Sequence, residues 1–209
     1  MNPIRAIFFD FDGVLVDSEP LHFECWLEVL AGEGMPFTYE HYARHFIGVS
    51  NRAMVEMLCR DFGRPFHRKS FEASYARKKL LYNDRFPGRC GVPAELTGLL
   101  VTGLSYYLLG VVSSSARSEV EPHLVEPGIR QRLDVLVCAE DVEKLKPAPD
   151  PYLRALELVS RTQRVSATQC LVIEDSGPGE ESARAAGMEV LRVSGPAEVA
   201  ARVRGILNV

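Results

Sequence analysis

Two aspartates, Asp10 and Asp12, follow the apolar run at the start of the stretch IFFDFDGVLVDS. A buried carboxylate without a partner is energetically costly. A strand that ends in this way therefore lies at a functional edge, or beside a cation that neutralises the pair. The spacing indicates chemistry on a charged substrate or a metal site.

Polar residues also follow the later apolar runs of the chain. These residues are Ser113, Ser114 and Ser115, then Glu140 and Asp141, then Lys146, and finally Glu174 and Asp175. In a parallel sheet the carboxyl ends of the strands share one edge, and ligands bind in the crevice outside that edge. The sequence therefore predicts that carboxylates, hydroxyls and a lysine gather at a single crevice.

This combination of side chains suits phosphoryl transfer. Several carboxylates can hold Mg²⁺, which prefers oxygen ligands and screens an anionic substrate. One carboxylate can attack phosphorus and form an aspartyl-phosphate. A hydroxyl, a lysine and backbone N–H groups can bind the phosphate oxygens as charge develops. A second carboxylic acid can protonate the leaving oxygen and later deprotonate water.

Short apolar runs, rich in Val, Ile, Leu and aromatic residues, are candidate strands that position these groups. They lie at Ala6–Phe11, Tyr106–Val112, Val135–Cys138, Cys170–Ile173 and Val190–Val193. Their weak alternation is typical of parallel strands covered on both faces. Helical patterns such as Pro151–Val159 and Glu180–Ala186 lie between them. The order predicts an α/β fold with a doubly wound, Rossmann-like parallel sheet.

The region 16–86 shows no strand pattern and contains three candidate helices, PLHFECWLEVLAGEG, SNRAMVEMLCRDFG and SFEASYARKKLLY. Glycine at the end of the first two is a common helix stop. We therefore expect an all-helical cap domain over 16–86, inserted into a core domain of residues 1–15 and 87–209. The turn sequence at 85–88, RFPG, marks the expected return to the sheet.

Composition narrows the class of protein. The 209 residues are 46% hydrophobic and 25% charged, with a net charge of −4, which argues against a nucleic-acid partner. The five cysteines form no CxxC pair, so we interpret them as free thiols in a reducing compartment. No signal peptide is apparent, and we expect a cytoplasmic protein.

One stretch, Leu96–Ala116, carries no charged residue and is long enough to span a bilayer. However, it contains glycines and serines and divides naturally at Gly103. A short helix followed by a buried strand and a polar loop is the favoured interpretation, with no membrane partner.

These motifs resemble those of the haloacid dehalogenase superfamily of hydrolases, in the same order and over almost the whole chain. DFDGVLVDS resembles the first motif, VVSSS the second, Lys146 in KLKPAPD the third, and VIEDSGPGEESARAAGM the fourth. The helical insert matches a small cap placed after the first motif. Within the superfamily the chain looks like the beta-phosphoglucomutase-like phosphatases.

The resemblance implies a role for each matching residue. Asp10 matches the nucleophile and a metal ligand, and Asp12 matches the general acid/base and a metal ligand through its carbonyl. Ser113 matches the phosphate-binding hydroxyl, and Lys146 matches the lysine that stabilises the charge of the nucleophile and the phosphate. Asp175 matches a metal ligand, and Glu174 matches either a ligand or a residue that supports the ligands. Ser114 is expected to donate its backbone N–H to phosphate, and Ser115 to cap the next helix. Dehalogenases lack the second aspartate, so Asp12 favours phosphate chemistry.

Three residues of the insert are candidate substrate contacts by the same resemblance. His22 matches a histidine that assists proton transfer in the sugar-phosphate mutases, although a structural role is equally open. Gly48 and Arg52 fall where the substrate loop of the cap is expected. The mutases place an arginine directly after the triplet GVS to hold a second phosphate, whereas this chain has Asn51 there.

The resulting hypothesis is a Mg²⁺-dependent phosphatase that acts on a small phosphorylated metabolite, such as a sugar phosphate, through an aspartyl-phosphate. A phosphosugar mutase is the main alternative, and a catalytically silent binding protein is the third. The sequence leaves open the substrate, the oligomeric state (a monomer included) and the role of the unusual segment Arg89–Leu96. It also departs from the third motif, which often has glycine where Leu145 stands.

Overall fold

The computed structural model describes residues 3–86, 89–125 and 128–207. Within these ranges, no helix combines the length and apolar character that crossing a bilayer requires. The uncharged stretch Leu96–Ala116 is divided between the end of a short helix, a π-helical turn, a buried strand and the loop after it.

The chain forms two compact units. One is built from Met1–Asp17 together with Gly91–Val209, and we call it the α/β unit; the other, Ser18–Cys90, is the helical unit. The helical unit thus begins two residues after the predicted start of the insert at residue 16, and it ends a few residues after the predicted end at residue 86. Pro87 and Gly88 of the expected return turn lie outside the described residues.

The α/β unit contains one sheet of five strands, all parallel. The strands are β1 (Ala6–Phe9), β2 (Leu108–Val112), β3 (Val135–Val137), β4 (Cys170–Glu174) and β5 (Glu189–Arg192). Their order in the sheet is β3-β2-β1-β4-β5, so the chain starts in the middle and winds outward in both directions. The predicted doubly wound α/β fold is therefore confirmed.

Helices alternate with these strands. They are α5 (Ala94–Gly98), α6 (Arg117–Val120), α7 (Pro122–Val125), α8 (Ile129–Arg132), α9 (Asp150–Ser160), α10 (Gly177–Ala185) and α11 (Pro196–Leu207). On one face of the sheet, Ala6 and Phe8 of β1 pack in a cluster with Ala155 of α9 and Ala183 of α10. Every residue of β1 is buried, as expected for a strand covered on both faces.

The helical unit contains α1 (Glu19–Ala31), α2 (Tyr39–His45), α3 (Asn51–Asp61) and α4 (Arg68–Arg85). Its core is a hydrophobic cluster that includes Trp26, whose indole N–H donates to Asn51 Oδ1 at 2.8 Å. The described part of this unit has no strand, as the sequence predicted. The sequence patterns missed α2, because its heptapeptide YEHYARH buries only Tyr42.

The side chains of the five cysteines are thiols and not disulfides, and all but Cys90 are buried. Burial raises the pKa of the Cys138 and Cys170 thiols to about 12. At pH 8, therefore, Cys138 and Cys170 are in the reactive thiolate form in only a very small fraction of the molecules.

We expect iodoacetamide at pH 8 to modify Cys90, which is partly exposed, well before Cys138 or Cys170. Peptide mass spectrometry over a time course measures the order, and the same reaction in guanidinium provides the control in which all sites react. Equal native rates at Cys90 and Cys138 would contradict the burial of Cys138.

Candidate active site

The carboxyl ends of three strands bring the predicted residues together. Asp10 follows β1 and donates its N–H to the Ile173 carbonyl at 3.0 Å, so it continues the pairing with β4. Ser113 follows β2 and bonds in the same way to the Val137 carbonyl at 2.9 Å. Glu174 is the last residue of β4. The sheet ladder therefore sets the backbone of all three residues.

Lys146 is a buried cation at the centre of this edge. Its ammonium donates to Asp10 Oδ1 at 2.7 Å, to Glu174 Oε1 at 2.6 Å and to the Val112 carbonyl at 2.9 Å. An ammonium has three N–H donors, so these contacts satisfy all of them. Only 4% of the Lys146 side chain is exposed. One lysine therefore ties the ends of β1, β2 and β4 together.

Glu174 is fully buried, and both of its carboxylate oxygens accept hydrogen bonds. Oε1 accepts from Lys146 and from the Tyr152 hydroxyl at 2.7 Å, while Oε2 accepts from the Ser176 N–H at 3.3 Å and the Ser176 hydroxyl at 3.1 Å. Burial opposes ionisation of Glu174, but the Lys146 charge and these hydrogen bonds bring its pKa below the usual value. Glu174 is thus a charged group held at both oxygens.

Asp10 lies in a different electrostatic balance. Burial raises its pKa well above the usual value, and the Lys146 charge lowers it; nearby Glu174, Asp175 and Asp12 raise it further. Four carboxyl groups and one ammonium leave excess negative charge at this edge. A second cation beside Asp10 would offset that excess and favour its ionised form.

The residues present fit a magnesium ion. Asp10, Glu174 and Asp175 each offer one carboxylate oxygen, and these oxygens lie within 4.8 Å of one another. Oxygen donors with net negative charge are the ligands that Mg²⁺ prefers. Asp10 and Asp175 suit direct ligation, whereas the oxygens of Glu174 are already occupied by four hydrogen bonds.

Two glycines make room for these carboxylates. Gly13 has a φ of 75°, and a Cβ built on it would lie 2.0 Å from Asp175 Oδ2. A Cβ on Gly179 would lie 1.9 Å from Glu174 Oε1 and 2.1 Å from Oε2. Neither position accepts a larger residue unless the carboxylate moves.

The serine loop after β2 contacts Asp12, a contact that sequence reasoning missed. The Ser115 hydroxyl donates to Asp12 Oδ2 at 2.7 Å, and the Ser115 N–H donates to Ser113 Oγ at 3.0 Å. The expectation that Ser115 caps the next helix was wrong, since Ala116 is the N-cap of α6. The Ser114 hydroxyl is buried, and in the described part of the chain nothing bonds to it.

His123 is a second residue that the sequence did not single out. It lies on α7 and stacks on Phe11, with ring centroids 6.4 Å apart. Burial lowers its pKa to about 4, against the opposing effect of the Asp12 charge. The imidazole beside Asp12 is therefore neutral near pH 7. A lone histidine far along the chain carries no sequence signal that could have identified it.

The three residues predicted to contact substrate from the insert, His22, Gly48 and Arg52, lie in the helical unit. His22 is buried and stacks on Tyr82, with ring centroids 4.3 Å apart. Gly48 has a φ of 76° in the loop before α3. Arg52 pairs with Glu56 at 2.7 Å and lies over the Phe66 ring. Their contact with substrate stays a prediction.

Three consecutive basic residues of α4, Arg77, Lys78 and Lys79, differ in their exposure. Lys78 is fully buried, and its ammonium lies 4.6 Å from the centre of the Tyr82 ring. Arg77 in contrast is exposed. A run of basic residues usually indicates a solvated helix face, so the sequence could not separate the two positions.

We expect Gly179→Ala to lower the free energy of unfolding by about 2 kcal/mol, because its Cβ would displace the buried Glu174 carboxylate. Gly177→Ala is the matched control: it lies in the same helical turn, and a Cβ there meets nothing within 4 Å. This control should change stability by no more than about 1 kcal/mol. Urea unfolding measures both, and equal effects would contradict the close approach at Gly179.

Comparison with known proteins gives a consistent assignment. A sequence model described as haloacid dehalogenase-like hydrolase matches residues 7–193. A fructose-1-phosphate phosphatase from Escherichia coli is 30% identical over 90% of this chain and 95% of its own length. A phosphorylated carbohydrates phosphatase from Thermotoga maritima is 29% identical over 89% of this chain and 83% of its own length.

A solved structure extends the similarity to the fold. The beta-phosphoglucomutase from Clostridium difficile superposes with a TM-score of 0.79 over 90% of this chain and 84% of its own, at 19% identity. This likeness shows the fold alone. The family match and the named phosphatases confirm the predicted class of enzyme, a phosphatase. The chain belongs to the haloacid dehalogenase-like hydrolases.

Proposed function

We propose that this protein is a Mg²⁺-dependent phosphatase that hydrolyses a small phosphorylated sugar through an aspartyl-phosphate on Asp10. The observation that carries the proposal is the grouping at one sheet edge of Asp10, Lys146 and Asp175, with Asp12 bonded to the serine loop. This set contains a nucleophile, a cation, metal-ligand oxygens and a second carboxyl group.

The first step forms a bond between an Asp10 oxygen and phosphorus and breaks the ester P–O bond. The leaving alkoxide takes a proton from the Asp12 carboxyl group. In the second step, Asp12 removes a proton from water as the water oxygen bonds to phosphorus and the Asp10–phosphorus bond breaks. Asp10 is then restored, and inorganic phosphate leaves.

The residues around Asp10 bind charge during both steps. Lys146 holds Asp10 Oδ1 and offers positive charge to the phosphoryl oxygens. The proposed phosphate contacts are the Ser113 hydroxyl and the Ser114 N–H, in the loop that directly follows β2. Mg²⁺ held by Asp10, Asp175 and the Asp12 carbonyl would screen the phosphate and favour the ionised nucleophile.

We propose that Glu174 positions other groups. The sequence left open whether Glu174 is a metal ligand or a residue that supports the ligands, and its contacts favour the second role. Both of its oxygens already accept two hydrogen bonds, so direct ligation of a metal would require it to give one up. Its described contacts are suited to holding Lys146 in place.

A sugar phosphate is the proposed substrate class, because the relatives in E. coli and T. maritima are named for fructose 1-phosphate and phosphorylated carbohydrates. The mutase alternative is less well supported. At the position where the mutases place an arginine to hold the second phosphate, this chain has Asn51, which accepts a hydrogen bond from Trp26.

We expect the purified protein with Mg²⁺ to release phosphate from members of a panel of sugar phosphates, and Asp10→Asn to lose at least about 10³-fold in kcat. Glu181→Gln, an exposed acid on α10, is the control and should retain activity. Phosphate release is followed by a colorimetric assay.

The same reactions should be followed for conversion of beta-glucose 1-phosphate to glucose 6-phosphate, primed with the bisphosphate. Isomer formation with little phosphate release would identify a mutase and overturn the proposal. Activity that persists in Asp10→Asn would exclude Asp10 as the nucleophile.

Mg²⁺ should also stabilise the folded protein in the absence of substrate, because a ligand of the native state alone raises the melting temperature as its concentration rises. We expect a Tm that increases with MgCl₂ for wild-type protein and Glu181→Gln. Asp175→Asn should shift the response to higher Mg²⁺ concentration. Identical titrations for wild type and Asp175→Asn would contradict ligation by Asp175.

A further inference from the structure

Tyr152 is a fully buried tyrosine in the first turn of α9 that has no role in the chemistry above. Its ring packs in the apolar cluster beneath the sheet, together with Val137 and Val172. Its hydroxyl, however, is directed at the catalytic edge. A buried tyrosine hydroxyl needs a hydrogen-bond partner, and here that partner is a charged one.

Tyr152 contacts both members of the buried pair beside Asp10. Its hydroxyl donates to Glu174 Oε1 at 2.7 Å, the same oxygen that accepts from Lys146 at 2.6 Å. The Lys146 ammonium also lies 4.9 Å from the centre of the Tyr152 ring. The tyrosine thus supports the carboxylate through its hydroxyl and the ammonium through its ring.

These contacts determine how the Glu174 carboxylate is oriented. Ser176 fixes Oε2, and Tyr152 with Lys146 fixes Oε1. Without the tyrosine hydroxyl, Oε1 would depend on Lys146 alone. A buried carboxylate oxygen that loses a donor interacts more strongly with the donor that remains. The ammonium would then be drawn toward Glu174 and away from Asp10.

We propose that Tyr152 is a positioning residue for the hydrolytic reaction. Its hydroxyl satisfies Glu174 so that Lys146 stays shared between Glu174 and Asp10 and remains available to the phosphoryl group. This role rests on the proposed function, since it acts through Lys146 and Asp10. It requires a tyrosine rather than a phenylalanine at this position.

Tyr152→Phe tests the role because it removes one oxygen and keeps the ring. We expect kcat for the best substrate of the panel to fall about tenfold, with KM changed less than twofold. Tyr42→Phe is the matched control, because it also removes a tyrosine–glutamate hydrogen bond, to Glu19 at 2.6 Å, but within the helical unit. Its kcat should stay within twofold of wild type.

A double-mutant cycle shows whether Tyr152 acts through Glu174. In a Glu174→Gln background, Tyr152→Phe should cause less than a threefold further loss of kcat, because the charged acceptor is already absent. A full tenfold loss in that background would overturn the proposed route. Melting temperatures of all variants are measured alongside the kinetics.

The remaining outcomes are distinguishable. If the wild type is active and Tyr152→Phe has an unchanged kcat, or differs from the wild type only by a higher KM, this role is overturned. The phosphatase proposal would then still stand. A Tyr152→Phe protein that fails to fold while Tyr42→Phe folds would assign Tyr152 to structure alone. A wild-type protein that releases no phosphate from any ester would overturn both proposals.

Discussion

One buried ammonium organises the catalytic edge of this protein. Lys146 donates to Asp10 just after β1, to Glu174 at the end of β4 and to the Val112 carbonyl at the end of β2. Removing a charge from water costs several kcal/mol unless paired groups replace the solvent. Here all three donors are satisfied, and the two carboxylates are in turn brought close in spite of their repulsion. The order of the strands, with β1 between β2 and β4, allows one lysine to reach all three.

The surrounding residues follow from that arrangement. Glu174 takes four hydrogen bonds and so stays charged, while Asp10, with more negative neighbours than positive ones, has its pKa raised by burial. The two carboxylates thus differ in environment, which is consistent with the separate roles proposed for them, positioning for Glu174 and nucleophilic attack for Asp10. The absent side chains of Gly13 and Gly179 leave the space that Asp175 and Glu174 occupy.

Much of this edge could be predicted from the sequence, because a parallel sheet converts the order of strand ends into proximity. Asp10, Ser113 and Glu174 were found in this way. The contacts of Tyr152 with Glu174 and of Ser115 with Asp12 were not predicted, because they depend on side-chain directions from a helix and a loop that periodicity does not encode. The sequence pattern also missed α2, in which only Tyr42 is buried. It missed the burial of Lys78 as well, because a lysine that packs against an aromatic ring leaves no apolar pattern.

Whether the shared ammonium holds the two carboxylates together is tested most directly by a double-mutant cycle on unfolding. Urea denaturation without metal gives the free energy of unfolding for wild type, Lys146→Met, Glu174→Gln and the double variant. Lys146→Met alone leaves two buried carboxylates without their cation, so the double variant should be more stable than the sum of the single effects by about 2 kcal/mol. Additivity within about 0.5 kcal/mol would show that the ammonium does not couple the strand ends.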